Sequence, residues 1–445
     1  MSKNAPDIRP ARLTKQEIEQ NFSDLHPPLG RSEALIAADR CYFCYDAPCT
    51  TACPTGIDIP AFIQKIRSDN IRGSAHTILK ENIMGGMCAR VCPTEVLCEE
   101  ACVRNTHEDK PVEIGLLQRY ATDPIFAAGS QLFYRAAESG KQVAVIGAGP
   151  AGLSCAHRLA MLGHNVVVFN RDRKPGGLNE YGIAAYKTVD EFAQGEIDYI
   201  LSIGGIEIRN NVALGSDLTL DELRENYDAV FLGLGLGSVN ELRLTNESMP
   251  GVLSAIDYIA ELRQADDKSS LPVGKNVVVV GGGMTAIDVA VQSKRLGADR
   301  VDIVYRRGPE QMGASRYEQD LARVSGVMIH YWAQPAKLTG DTHVEAIEFE
   351  RTRLDDSGKL TTTDETLRFD ADVVFKAIGQ RLDMTSIDPS LNTERGRIIV
   401  DGDGKTSLDR VWAGGDCVLG GDDLTVTAVQ HGKLAAIAID RALTS

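Results

Sequence analysis

Long apolar runs are missing from this chain, and so is any excess of positive charge. Its 445 residues open MSKNAPDIRP with no apolar signal core, and no later stretch approaches the roughly twenty apolar residues of a membrane span. A cytoplasmic protein is expected, in a compartment where thiols stay reduced. A net charge of -15 argues against binding to a nucleic-acid backbone, which rests on Lys and Arg neutralising phosphates, and against an anionic membrane surface. The hydrophobic fraction, 43%, and the charged fraction, 24%, are those of an ordinary globular protein, and the length suits about three domains.

What the chain has in quantity is cysteine, concentrated in one stretch. CYFCYDAPCTTACP places Cys41, Cys44, Cys49 and Cys53 before Pro54, and CARVCPTEVLCEEAC places Cys88, Cys92, Cys98 and Cys102 in a second group. Disulfides do not suit a reducing compartment. Zinc favours paired CxxC knuckles, and only Cys41 and Cys44 make one. Uneven spacings and Cys-Pro dipeptides suit iron-sulfur ligation, in which one cysteine of a run can serve a different cluster from its neighbours. Two clusters are expected. Between the groups Ile59, Phe62, Ile63, Ile66, Ile71, Ile78 and Leu79 recur at helical spacing, so helices should wrap the clusters, with His76 as an ordinary histidine rather than a ligand. Residues 1–40 read as a short helix and an extended arm. VEIGLLQRYATD, after Cys102, reads as an amphipathic turn or two.

A linker ending at Gly140 leads to KQVAVIGAGPAGLSCAHRLAMLGHNVVVF, a strand, a glycine-rich turn, a helix and a second strand. Gly147, Gly149 and Gly152 form GxGxxG in the setting that makes it a dinucleotide fingerprint, with a pyrophosphate against the helix N-terminus. The acidic residue expected at the end of the second strand is lacking: Asn170 stands there, with Asp172 two residues on. KNVVVVGGGMTAIDVAVQSKRLGADRVDIVYRR repeats the unit, with Gly281, Gly283 and Ala286 as GxGxxA. Its second strand ends in Arg306 and Arg307, a pair suited to a 2′-phosphate. In RKPGGLNEYGIAAYK, Gly176 and Gly177 allow backbone to approach a flat ring. Asp416, in VWAGGDCV, is placed for a ribityl hydroxyl, and the last helix begins near Thr425 and Val426, where its dipole would favour a reduced flavin. FAD is therefore expected on the outer segments and NAD(H) or NADP(H) between them. Cys155 and Cys417 read as small core residues. No paired thiol lies beside the flavin motif, so a disulfide reductase is not expected.

Together these motifs resemble the electron-input module shared by dihydropyrimidine dehydrogenases and the small subunit of bacterial glutamate synthase. DAPC, CPT, EIGLLQRYAT and NEYGIAAYKT look closer to the first, in its bacterial PreT-type form. The discriminating residue is Gln118, since a glutamine there ligates a cluster in dihydropyrimidine dehydrogenases whereas glutamate synthase small subunits carry Glu. The resemblance assigns Cys41, Cys44, Cys49 and Cys102 to one 4Fe-4S cluster and Cys53, Cys92, Cys98 and Gln118 to another, leaving Cys88 out. It implies flavin contacts at Gly147, Ala148, Gly149, Pro150, Ala151, Asn170, Leu178, Lys187, Asp416 and Thr425. Nicotinamide contacts fall at Gly282, Gly283, Met284, Thr285, Arg306, Arg307, Ala377, Ile378 and Gly379, Met284 replacing the usual aspartate. No catalytic side chain is implied, because the cofactors carry the chemistry. NADH is the expected donor, as in bacterial subunits of this type. The FMN-bearing barrel of the family does not follow residue 445, which implies a separate catalytic partner of the PreA type.

The expected fold is α+β and multidomain. A helical iron-sulfur domain over 1–140 precedes two Rossmann-like domains, flavin over 141–265 and 381–445 with the nicotinamide domain, 266–380, inserted.

Overall fold

The computed structural model describes residues 7–445, so the first six residues of the expected N-terminal arm lie outside the described residues. The chain forms two compact units. One, the cysteine-bearing unit, takes His26–Glu180, Asp190–Gly237 and Leu382–Ser445. The other takes the described residues up to Leu25, Tyr181–Val189 and Ser238–Arg381. The expected boundary at 265/266 therefore moves to 237/238. The reason is pairing: strand Val252–Ser254 lies parallel to Val373–Ala377 as an edge strand of the second sheet. The expected 1–140 domain likewise loses its first segment, because helix Lys15–Asn21 buries Ile18 in the second unit's core.

In the cysteine-bearing unit the helices follow from caps and spacing. Asp58 accepts from the Ala61 N–H and Asn70 from the Gly73 N–H, starting helices Ile59–Arg67 and Ile71–Glu81. Their apolar stripes bury Phe62, Ile63, Ile66, Ile78 and Leu79, as the spacing requires. Helix Ile114–Ala127 is longer than the turn or two expected, since Leu117, Ala121 and Ile125 continue a buried stripe through Pro124. His76 is exposed, its ring against Phe133.

The same unit holds a parallel sheet ordered Val411–Ala413, Ala229–Leu232, Gln142–Ile146, Asn165–Asn170, Ile206–Asn210. Its central strand is buried on both faces, which is why it reads as an unbroken apolar run. Helix Pro150–Met161 follows, and the long helix Thr425–Thr444 runs against it so closely that a methyl on Gly432 would meet the Ala151 carbonyl at 2.1 Å.

The second unit repeats the plan. Its parallel sheet is ordered Val252–Ser254, Val373–Ala377, Asn276–Gly281, Arg300–Tyr305, Met328–Tyr331. A three-stranded antiparallel sheet, 333–370, fills the crossover before Val373–Ala377. In both sheets the strand before the glycine turn has its successors on opposite sides, and ligands of such sheets bind at that switch point. No helix of the described residues is long and apolar enough to cross a membrane.

Candidate functional site

The thiols regroup in space. Cys41, Cys44, Cys49 and Cys102 line one recess with Tyr42, Pro48 and Arg104. Cys102 has thus left its sequence neighbours for the first group. The CYFC turn is tight because Phe43 adopts a left-handed φ of 53°, which aims its N–H at Cys41 Sγ, 3.4 Å away. Burial raises Cys41, and burial followed by the neighbouring Cys41 pushes Cys49 up to about 11.

Cys53 joins the other neighbourhood. Cys92 is held well above the ordinary thiol range by a hydrogen bond with Cys88, by burial, and by Cys98 and Cys53 nearby. Cys98 is raised by burial, then by Glu99, Cys53 and Cys49, so the two donor sets adjoin. Gln118 is buried, and its Nε2 donates to the Gly85 carbonyl at 2.6 Å. A carbonyl can only accept, so the amide orientation is fixed and Oε1, the atom able to bind iron, faces away from that bond. Among the described residues no three or more His, Cys, Asp or Glu side chains converge as ligands of a single metal ion. Four thiols spread around one recess suit a cluster, in which each iron takes its own ligand. All ten cysteines are free, and Cys155 and Cys417 are core residues.

At the first glycine turn, Gly147 has φ 97° and a methyl there would lie 2.2 Å from the Gly233 carbonyl. A methyl on Gly152 would strike the Gly147 carbonyl at 1.9 Å, closing helix on strand. Gly149 is different: its nearest neighbour would be Gly177 Cα at 3.9 Å. The protein itself does not require glycine at that position, whereas a pyrophosphate approaching the backbone does. Helix Pro150–Met161 begins there without a side-chain cap, so its first N–H groups, around Ala151, stay open to an anion. Ala148 is buried and accepts from the Gly176 N–H, and Leu178 opens the short helix Leu178–Tyr181.

Asn170 is buried, and its Nδ2 donates to the Asp172 and Lys174 carbonyls and to Asn210 Oδ1, each at 2.9 Å. A carboxylate could not donate to those carbonyls, which accounts for an amide where an acid was expected. Asp416 carries a pKa raised to about 6 by burial and by Asp423, against the opposing Arg397. Thr425 donates to Asn179 Oδ1 at 2.7 Å, and its helix also starts uncapped, before buried Val426. Gly235, 3.8 Å in its Cβ direction from Asp416 Oδ1, and Arg397, which bonds the Asp416 carbonyl, were missed from sequence. The glycine run of VFLGLGLG after a buried strand was an available signal.

In the second unit a methyl on Gly281 would lie 2.1 Å from the Ala377 carbonyl, tying the turn to the strand end at Ala377, Ile378 and Gly379. A methyl on Gly282 would meet the Tyr305 ring at 2.4 Å. Nothing lies within 4 Å of that position on Gly283, the uncapped start of the helix that carries Met284, Thr285 and buried Ala286. The Ala314 N–H bonds the Gly282 carbonyl at 3.0 Å, so residues 312–314 flank the turn, which the sequence did not reveal. Arg306 and Arg307 are exposed, and among the described residues neither guanidinium has an ion-pair or hydrogen-bond partner.

Lys187, expected at the flavin, packs instead within this second unit. Its ammonium pairs with Asp288 at 2.7 Å and Glu318 at 2.8 Å, all three being buried. Burial works to lower its pKa, but the two carboxylates raise it above the ordinary value. Asp288 is raised by burial against the pull of Lys187. Lys187 thus bridges two buried carboxylates of this unit.

Two doubly wound folds, one sharing a compact unit with a thiol-rich helical region, are the architecture of a flavin and iron-sulfur oxidoreductase. Residues 141–432 match the family described as pyridine nucleotide-disulphide oxidoreductase, and residues 18–130 match dihydropyrimidine dehydrogenase domain II, 4Fe-4S cluster. The NAD-dependent dihydropyrimidine dehydrogenase subunit PreT of Escherichia coli (strain K12) is 36% identical over 425 residues, 95% of this chain and 97% of that protein. The glutamate synthase [NADPH] small chain of the same organism is 35% identical over 456 residues, 97% and 95%. Among solved structures, Mycobacterium tuberculosis FprA in complex with NADPH shares the fold, with TM-score 0.58 and 20% identity over 68% of this chain and 85% of that one. The thioredoxin reductase of T. acidophilum does so with TM-score 0.54 and 20% identity over 68% of this chain and 100% of that one. The chain belongs to the pyridine nucleotide-disulphide oxidoreductases, in the group that includes the PreT subunits and the glutamate synthase small chains. Its domains are those of flavin, pyridine nucleotide and 4Fe-4S electron transfer.

Proposed function

We propose that this chain is the electron-input subunit of a dihydropyrimidine dehydrogenase. It takes electrons from NADH or NADPH and delivers them to an FMN- and iron-sulfur-containing catalytic subunit of the PreA type, which reduces uracil or thymine to 5,6-dihydropyrimidines or runs the reverse. When bound, a flavin accepts hydride from the nicotinamide and 4Fe-4S clusters carry the electrons onward singly.

The chain's residues hold and tune these groups. Gly147, Gly149 and Gly152 let backbone meet the flavin pyrophosphate. The uncapped starts of the helices at Pro150 and Thr425 offer N–H groups to negative charge, and Asp416 offers a ribityl partner. Gly281 to Ala286, with Ala377, Ile378 and Gly379, would receive the nicotinamide dinucleotide. Cys41, Cys44, Cys49 and Cys102 would hold one cluster; Cys53, Cys92, Cys98 and Gln118 would hold the other. In this reading the clusters occupy the helical region up to about residue 140, flavin the fold of 141–237 and 382–445, and nicotinamide the second unit, all in the cytoplasm.

The observation that carries the reading is the recess lined by four thiols drawn from both cysteine groups, in the same compact unit as the first glycine turn. Anaerobically purified chain should contain about eight irons, matching sulfide and one flavin, and with its catalytic partner should oxidise NAD(P)H in the presence of uracil. Zinc without flavin would overturn it.

A second reading, the small chain of a glutamate synthase, is favoured by the comparable 35% identity. Glutamine-dependent NADPH oxidation with a glutaminase-bearing large subunit, and none with uracil, would select it.

A further inference from the structure

We propose that Thr55 and Lys433 set the reduction potential of the cluster ligated through Cys53, Thr55 by a hydrogen bond to the ligand sulfur and Lys433 by holding Thr55 in place. The inference rests on the reading that Cys53 is a cluster ligand. Thr55 is only 2% exposed, and its hydroxyl lies 3.3 Å from Cys53 Sγ. Once Cys53 is a thiolate its sulfur has no proton to give, so the hydroxyl must be the donor.

The Thr55 carbonyl in turn receives Lys433 Nζ at 3.0 Å. The same ammonium bonds the Glu81 carbonyl and Glu81 Oε2, each at 3.0 Å, so its three donors are all spent. Lys433 belongs to the long helix Thr425–Thr444, and Glu81 is the last residue of helix Ile71–Glu81. A nearly buried cation from the flavin-side fold thereby fixes the peptide that follows Cys53 and Pro54. Gly56, with φ 71° and its N–H on the Cys53 carbonyl at 2.9 Å, closes the loop.

Hydrogen bonds to ligand sulfurs favour the reduced cluster, which carries one more negative charge. Both residues should therefore raise its potential and ease electron entry. Lys433 is a positioning residue in this scheme, because it acts through Thr55.

The test is an EPR-monitored redox titration of the holoprotein, with iron and sulfide assayed on each variant. Thr55→Val keeps shape and removes the donor. It should lower the potential of one cluster by at least about a threefold change in the one-electron equilibrium constant, a tenfold change being 59 mV, with the other cluster unmoved. Thr55→Ser should restore the wild-type value, Lys433→Met should lower the same cluster, and Lys433→Arg should do so less. Unchanged potentials in Thr55→Val, or equal shifts in both clusters, would overturn the proposal. If Thr55→Val fails to hold iron, Thr55→Ser decides: full iron and wild-type potentials support the hydroxyl's role, and iron loss there too overturns it. Cys53→Ala separates the underlying reading, since full iron in that variant would mean that Cys53 is not a ligand.

Discussion

Single side chains carry the sharpest consequences. Gln118 gives Nε2 to the Gly85 carbonyl and leaves Oε1 for a cluster, so its substitution should be felt at the cluster. Gln118→Ala should lose about half the iron or destabilise one EPR signal, whereas Cys88→Ala should keep both, measured by iron assay and EPR. Iron loss in Cys88→Ala with none in Gln118→Ala would show that Cys88, hydrogen-bonded to Cys92, is the ligand instead. Lys187→Met would strand Asp288 and Glu318 as buried carboxylates without their cation. Breaking such a group by removing one partner costs about 3–5 kcal/mol. The second unit should melt earlier in calorimetry, and Asp288→Asn with Glu318→Gln in the same variant should recover much of the loss. Arg306 and Arg307, exposed and unpartnered among the described residues, are free to meet a 2′-phosphate. Their joint replacement by Ala should raise the KM for NADPH at least tenfold and leave NADH unaffected. Parallel changes for the two donors would assign the pair no role in discrimination.

At the level of elements, the short helix Gly85–Val91, which carries Cys88 and leads into Cys92, is held at its start from helix Phe192–Leu201. Glu196 Oε1 accepts the Gly86 and Met87 N–H groups at 2.9 and 3.0 Å. Burial pushes its pKa from 4.5 up to about 8, against the help of those N–H groups and Arg90. The folded state thus holds a proton that the unfolded chain releases above 4.5. This contribution to stability is complete below pH 4.5 and is lost as pH rises through about 8. Glu196→Gln keeps the acceptor and removes the titration. Its melting temperature should fall less steeply than wild type between pH 6 and 8.5; parallel curves would contradict the buried acid. The two glycine turns make a similar point. The first needs glycine at its third place because a methyl on Gly152 would collide with Gly147, whereas the second accommodates buried Ala286.

For the whole molecule, the division into units cuts across the order of the chain. Residues 181–189 leave the cysteine-bearing unit and are anchored in the other by Lys187, by the Ala185 N–H on Gln292 at 2.9 Å, and by Arg263 on the Thr188 carbonyl at 2.9 Å. Strands Ser238–Val239 and Gln380–Arg381 pair with each other where the 238–381 segment begins and ends. A chain organised in this way should resist excision of residues 238–381 alone as a stable fragment, because helix Lys15–Asn21 and Tyr186 complete that unit's core. The excised fragment should show loss of near-ultraviolet circular dichroism, and a fully native-like spectrum would refute the expectation.

The sequence by itself determined the local units: both strand, turn and helix repeats, the helices between the cysteine groups, the burial of Cys155 and Cys417, and the thiol-rich stretch as a site. These are legible because periodicity and glycine placement act over a few residues. Resemblance added the exchange of Cys53 and Cys102, which spacing alone left open; in the structure Cys102 lines a recess with Cys41, Cys44 and Cys49. Only the tertiary structure decided the unit boundary at 237/238, the seat of Lys187, the amide role of Asn170, and the bond from Lys433 to Thr55. Each depends on partners brought together by packing, often hundreds of residues apart, and no local pattern encodes which distant carbonyl or carboxylate a side chain will meet.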